Sequence, residues 1–291
     1  MKKFIVLLLL AFMSLESFSE KSQQPAGKQA AKGYNLETPN VTMNLPDMLR
    51  EVSGITILDK STLACIQDEK GILFIYDFAA GKIKSQKIFG PDGDYEGIAA
   101  LGKTIYILRS DGTLFEVSDY TSSTLKTTSY NTGIPANDNE GLCYDTKNNR
   151  LLIGCKGKVG NDDKDKHKRL VFEFSLKTKT LKKEPLLKFD VKDLKDWAAA
   201  MKKDKDDKDP EFNLETSAIG IHPLTGKLYL LSASDNLLFV FNMNGKIEAI
   251  EKLKNKLFPQ AEGISFFSNG DMLISNEGRD KQGTLLRFNY K

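Results

Sequence analysis

The chain is poor in the residues that carry most metal and nucleophile chemistry. Its 291 residues include two histidines, His167 and His222, three cysteines and one tryptophan, Trp197. Two histidines leave little room for a histidine-rich zinc centre or a His-based triad. The cysteines, Cys65, Cys143 and Cys155, show no C-x-x-C spacing. Their odd count leaves at least one thiol unpaired within the chain. Folding a hairpin about Asp145–Arg150 sets Cys143 opposite Leu152, not Cys155, so three buried thiols are expected. No G-x-S-x-G elbow and no phosphate-cradling glycine loop occurs. An excess of one charge is also missing: 42 Lys+Arg stand against 39 Asp+Glu. That near balance excludes a bulk basic footprint for nucleic acid. At 40% hydrophobic and 28% charged residues, the composition excludes a disordered tail, a collagen and a multispan membrane protein.

What is present begins with an export pattern. Lys2 and Lys3 precede an apolar run from Phe4 to Met13, and small residues follow at Ser17 and Ser19. A basic start, a short apolar core and small residues at −3 and −1 predict a secretory signal over 1–19, cut after Ser19. The run is shorter than the roughly 20 residues that span a bilayer, so no transmembrane span is expected after cleavage. No cysteine stands at the cut, which excludes lipid attachment there. Residues 20–32 have the composition of a flexible linker. The expected location is the periplasm or the exterior.

A phrase then recurs through residues 33–291: Glu51-Val-Ser-Gly-Ile55, Asp94-Tyr-Glu-Gly-Ile98, Asp138-Asn-Glu-Gly-Leu142, Glu215-Thr-Ser-Ala-Ile219 and Gln260-Ala-Glu-Gly-Ile264. Aligned on the small residue, the intervals are 43, 44, 77 and 45. A period near 40–45 with strand-rich units is that of a β-propeller. Each unit holds four short β-rich runs, and the third runs match one another: Ile72–Tyr76, Thr113–Val117, Leu170–Phe174, Leu237–Phe241 and Thr284–Phe288. The last unit ends before its fourth strand, and a spare strand lies within Tyr34–Leu45. The fold predicted is all-β: a five-bladed propeller closed by that N-terminal strand, which leaves no open blade edge. The long interval puts insertions at 156–168 and 190–214 in blade three. In the second, Val191, Leu194, Trp197, Ala198 and Met201 share one helical face. That helix is either a lid over the channel, carrying Trp197, or a brace packed on the rim.

The phrases Glu51–Ile55, Asp94–Ile98, Asn139–Asp145 and Ala261–Ile264, in that order, resemble those of the SdiA-regulated (YjiK-like) family. The resemblance runs from about Leu45 to Lys291. It implies an exported five-bladed propeller of poorly defined function. It further implies a link of some members to calcium and a likeness to phytase-type propellers.

Acidic residues gather at one end of the expected channel. The first strand of each blade lines the axis, and side chains two apart share a face. One tier holds Ser53, Glu96, Glu140, Ser217 and Glu262; the tier two residues earlier holds Glu51, Asp94, Asp138, Glu215 and Gln260. Seven carboxylates would meet at one mouth. Like charges 4 Å apart cost about 4 kcal/mol at an effective dielectric of 20, so something must answer them. An all-oxygen set suits calcium, with magnesium the tighter-fitting competitor. The other reading is structural: glutamates hydrogen-bonded to neighbouring blades. Second-strand ends add a rim of Asp68, Glu69, Asp111, Asp235, Asn276 and Glu277, interrupted by Lys156 in blade three, either contacting a ligand or serving as solvated turns. The function expected is a monomeric, non-catalytic binding module for a cation or small molecule, or for another envelope protein. The alternative is a calcium-dependent hydrolase of phosphoesters or lactones.

Overall fold

A computed structural model describes residues 33–157, 159, 167–202 and 211–291. The signal and linker segments, residues 160–166 and residues 203–210 lie outside the described residues. The chain forms five antiparallel sheets. The first strand, β1 (Val41–Asn44), stands apart from the rest in sequence. Blade one follows with β2 (Val52–Ile57), β3 (Thr62–Gln67), β4 (Ile72–Asp77) and β5 (Lys82–Ile88). Blade two holds β6 (Tyr95–Leu101), β7 (Thr104–Arg109), β8 (Thr113–Ser118) and β9 (Lys126–Asn131). Blade three holds β10 (Asn139–Asp145), β11 (Arg150–Cys155), β12 (Lys168–Ser175), β13 (Thr180–Leu181) and β14 (Leu187–Asp190). Helix α1 (Val191–Ala200) leads to blade four: β15 (Ala218–Ile221), β16 (Leu228–Ser232), β17 (Leu237–Phe241) and β18 (Ile247–Lys252). Blade five holds β19 (Ala261–Phe266), β20 (Met272–Asn276) and β21 (Thr284–Phe288), and β1 completes it in register Val41↔Arg287 to Asn44↔Thr284. The closure expected from the truncated last unit is the one observed.

The inner strands β2, β6, β10, β15 and β19 pack side by side around the axis, β19 meeting β2. Five apolar clusters fill the five blade interfaces. The recurrent glycine follows from this crowding. A Cβ at Gly97 would stand 2.6 Å from Leu142 Cβ and 2.8 Å from the Glu140 carbonyl oxygen. One at Gly54 would stand 2.9 Å from the Glu96 carbonyl oxygen. The N-terminal segment is locked further by Tyr34, buried against Tyr229, Tyr290 and His222, whose hydroxyl donates to the Gly270 carbonyl.

Blade three departs from a plain four-stranded sheet. Its fourth strand is split in two, β13 and β14, both paired to β12. Pro185 falls in the gap, and a residue without an N–H cannot donate to the ladder. Helix α1 begins at Asp190, whose carboxylate caps Lys192 N. Trp197 lies in a groove with Tyr34, Leu36, Met201 and Ile250, against the outermost strand of blade four. Of the two readings, lid and brace, the packing favours the brace: Val191 and Leu194 are buried, and Trp197 and Ala198 pack against the apolar cluster between blades three and four.

Candidate functional site

Three glutamates owe their position to a backbone irregularity. In β6, Tyr95 pairs with Arg109 and Gly97 with Leu108, so Glu96 has no partner across the ladder. Glu140 and Glu262 are skipped in the same way, between Asn139 and Gly141 and between Ala261 and Gly263. These are β-bulges, which re-aim a side chain and recur beside functional sites. The two serines of this tier bind the neighbouring blade, and Ser53 Oγ also lies 3.1 Å from Glu96 Oε2, to which it can donate. Ser53 Oγ donates to the Glu96 carbonyl oxygen at 3.0 Å, and Ser217 Oγ to the Ala261 carbonyl oxygen at 2.7 Å. The serines thus staple neighbouring blades, while the glutamates feel one another's charge across the axis.

Burial dominates their electrostatics, and neighbouring carboxylates add to it at Glu96 and Glu140. Burial pushes Glu96 up to about 8, with Asp94 and Glu262 adding to the rise and the Ser53 hydroxyl opposing it. Glu140 is also raised, by burial first and Glu96 second; Lys156 pulls the other way. Lys156 Nζ donates to Glu140 Oε1. Glu262 is raised by burial, against a hydrogen bond from Gln260 and the charges of Lys156 and Arg279. Glu277 is raised by burial and then by Glu262, Asp68 and Glu51.

The outer tier lies in the loops leading into the inner strands, because Glu51, Asp94, Asp138, Glu215 and Gln260 all precede their strand starts. Strand parity therefore does not govern these residues. Glu51 and Asp94 are exposed; Asp138, Glu215 and Gln260 are half-buried. Gln260 links two neighbours: its Nε2 donates to Glu277, and its Oε1 accepts from Arg279 Nε at 2.6 Å. Lys156, Glu215, Ser217, Gln260, Glu262 and Arg279 line a cleft of about 180 Å³ between blades three, four and five.

The rim divides. Register makes Gly97↔Leu108, Gly141↔Gly154, Ala218↔Leu231 and Gly263↔Ser275 equivalent pairs. Two residues on stand Ser110, Lys156, Ala233 and Glu277, with Asp68 their counterpart in blade one. Asp68 and Glu277 join the mouth. Asp111 and Asp235 are held by local partners, as turn residues are. Arg109 holds the Asp111 carboxylate at 2.7 Å and keeps it near 2. Asp235 accepts from Asn213 N, Leu214 N and Ser232 Oγ, tying down the end of the insertion. Asn276 is buried, with its Nδ2 donating to Thr284 Oγ1 at 3.1 Å. Glu69 accepts from Gly93 N through its carbonyl oxygen. Arg279 was missed in the sequence: it lies three residues past β20, in a loop where spacing signals nothing.

The donors are oxygens throughout, and Asp68 Oδ1 is buried without a hydrogen-bond partner. In kind they fit calcium. In placement they do not: among the described residues, no three acidic, histidine or cysteine side chains stand together as a ready ligand set.

The SdiA-regulated family pattern matches residues 28–279. The chain belongs to the SdiA-regulated family. No sequence among the curated proteins matches it. Similar solved structures include the glutaminyl cyclase of Myxococcus xanthus, 13% identical with a TM-score of 0.57, the match covering 87% of this chain and 97% of that one. A protein of unknown function from Bacteroides thetaiotaomicron is 12% identical with a TM-score of 0.50, the match covering 78% of this chain and 52% of that one. At such identities the likeness is one of fold. In this SdiA-regulated propeller no described helix is long and apolar enough to cross a membrane.

Proposed function

We propose that this chain is an exported, non-catalytic binding module whose acidic channel mouth takes a cation. The observation that carries this is the trio Glu96, Glu140 and Glu262, each at a bulge and each raised by burial first, Glu96 and Glu140 also by neighbouring carboxylates that include Glu262, and Glu262 by Asp68. A cation entering the mouth favours their ionised forms and relieves that repulsion. Glu51, Asp94, Asp138 and Glu215 form the outer approach, and clefts lined by one sign of charge concentrate the opposite ion. In donor chemistry calcium suits this oxygen-only set, and its binding requires the carboxylates, which do not stand together as a ligand set in this structure, to draw in around it. Lys156 sits on Glu140, so the ion must displace its ammonium. The basic, apolar and small-residue pattern over 1–19 supports export to the periplasm or exterior.

Thermal melts with calcium, magnesium and chelator test this. A ligand that binds the folded state alone stabilises it by about 2.7 kcal/mol at a hundred times its dissociation constant. Calcium at millimolar levels is expected to raise the melting temperature of the parent. The triple change Glu96→Gln, Glu140→Gln, Glu262→Gln is expected to abolish that rise.

The alternative, a calcium-dependent hydrolase of phosphoesters or lactones, draws support from one observation. Lys156 and Arg279 share one cleft with Glu215 and Glu262, as anion-holding groups beside a general base would. Turnover of a phosphomonoester or lactone with calcium, lost in Arg279→Gln, would move the reading to this class.

A further inference from the structure

The channel is chemically two-faced. Just past the small residue of each inner strand stand Ile55, Ile98, Leu142, Ile219 and Ile264. They are 2–5% exposed and form a waist beneath the carboxylates. Two residues on come Ile57, Ala100, Tyr144, Ile221 and Phe266, all half-exposed. Together these rings wall a cavity of about 660 Å³ to which all five blades contribute, at the end of the channel away from the acidic mouth. That volume is within the range of small-molecule sites, which are walled mostly by apolar groups.

The polar groups around this cavity define what it would accept. Of its charges, Lys227 pairs with Glu248 at 2.5 Å and Asp145 with Arg150 at 2.8 Å, while Lys147 stands exposed to solvent. The Tyr144 hydroxyl donates to Asn149 Oδ1 at 3.0 Å. Two hydroxyls in the wall are fixed from the neighbouring blades: Thr56 Oγ1 accepts from Ala100 N at 3.2 Å, and Ser265 Oγ from Ile57 N at 3.1 Å. Each keeps its own O–H to donate. We propose that this far mouth is a second binding site, for one uncharged molecule with a hydrocarbon body and a single hydrogen-bonding end, such as an alcohol or ester. A charged ligand would have to break one of these ion pairs or settle for the exposed Lys147, where solvent screens the attraction.

The probes are hexanol, octanol and decanol, titrated calorimetrically into the full chain, with octanoate as the charged counterpart. One saturable site is expected, tightening about four-fold per added methylene, with octanoate at least ten-fold weaker than octanol. Ala100→Trp fills the cavity and is expected to abolish octanol binding while melting like the parent. Ile221→Asn serves if that variant does not fold, with binding at least ten-fold weaker. Glu96→Gln, at the other mouth, is expected to bind octanol as the parent does, which separates this site from the cation reading. The proposal is overturned by absence of saturable octanol binding, by unchanged binding in a folded Ala100→Trp or Ile221→Asn variant, or by octanoate binding as tightly as octanol.

Discussion

Glu96 and His222 carry opposite pH dependences for the same reason, burial of a titratable group. The Glu96 carboxyl rises from its ordinary value to about 8, so the folded state holds a proton that the unfolded chain releases. Its contribution is fully present below about 4.5 and is lost as pH rises through about 8. Glu96→Gln removes that loss. The variant is expected to melt ~2–4 °C above the parent at pH 9, the shift that about 1 kcal/mol gives in a domain of this size, and to differ little at pH 5. Melting curves at the two pH values check this. His222 is shifted down by burial. Its Nδ1 accepts from Leu224 N and Thr225 N, both at 3.2 Å, inside a ring of Tyr34, Tyr229, Phe266 and Tyr290. The fold requires the neutral imidazole. Its contribution is present above the ordinary histidine value of about 6.5 and is lost as pH falls below it. His222→Asn, which keeps a turn acceptor, is expected to flatten the stability decline between pH 6.5 and 5.

At the scale of elements, the recurrent glycine and the closing strand set the tolerance of the fold. Gly97→Val places a branched side chain where even a methyl meets Leu142 at 2.6 Å. Overpacking of this kind costs about 1–3 kcal/mol. Chemical denaturation is expected to show that loss, with Ala218→Gly, at the one position where the repeat carries alanine, changing much less. Removing residues 33–45 strips β1 from β21 and leaves its backbone groups unpaired at a sheet edge. Light scattering is expected to report aggregation of the truncated chain. A soluble truncation of equal stability would contradict closure by β1. Much of this layer was legible beforehand. The third strands stand out because each is an unbroken β-rich run between turns, and the repeat is dense enough to count. What the residues did not announce was local geometry. A bulge at Glu96, Glu140 and Glu262 has no compositional mark, and strand parity fails for the outer tier because those residues precede the ladder. Trp197 on an amphipathic face is consistent with both lid and brace, and only the position of blade four decides between them.

For the whole molecule, the two ends of one channel differ because the chain entering and opening the five inner strands carries carboxylates before the small residue, and the strands carry aliphatic and aromatic side chains after it. The repeat made the acidic end visible in the sequence. The counter-charges were harder to see: Lys156 appears there only as a break in the pattern, and Arg279 reaches the mouth from a loop. The central claim is that the trio of buried Glu140 and half-buried Glu96 and Glu262 gives up protons to take a cation. Calcium titrated into weakly buffered protein at pH 7, with pH followed directly, tests it. The account predicts saturable proton release by the parent, absent in the Glu96→Gln, Glu140→Gln, Glu262→Gln variant. A flat trace with the parent, together with a triple variant that melts below it, would contradict the account and make the three glutamates structural ties of the ring.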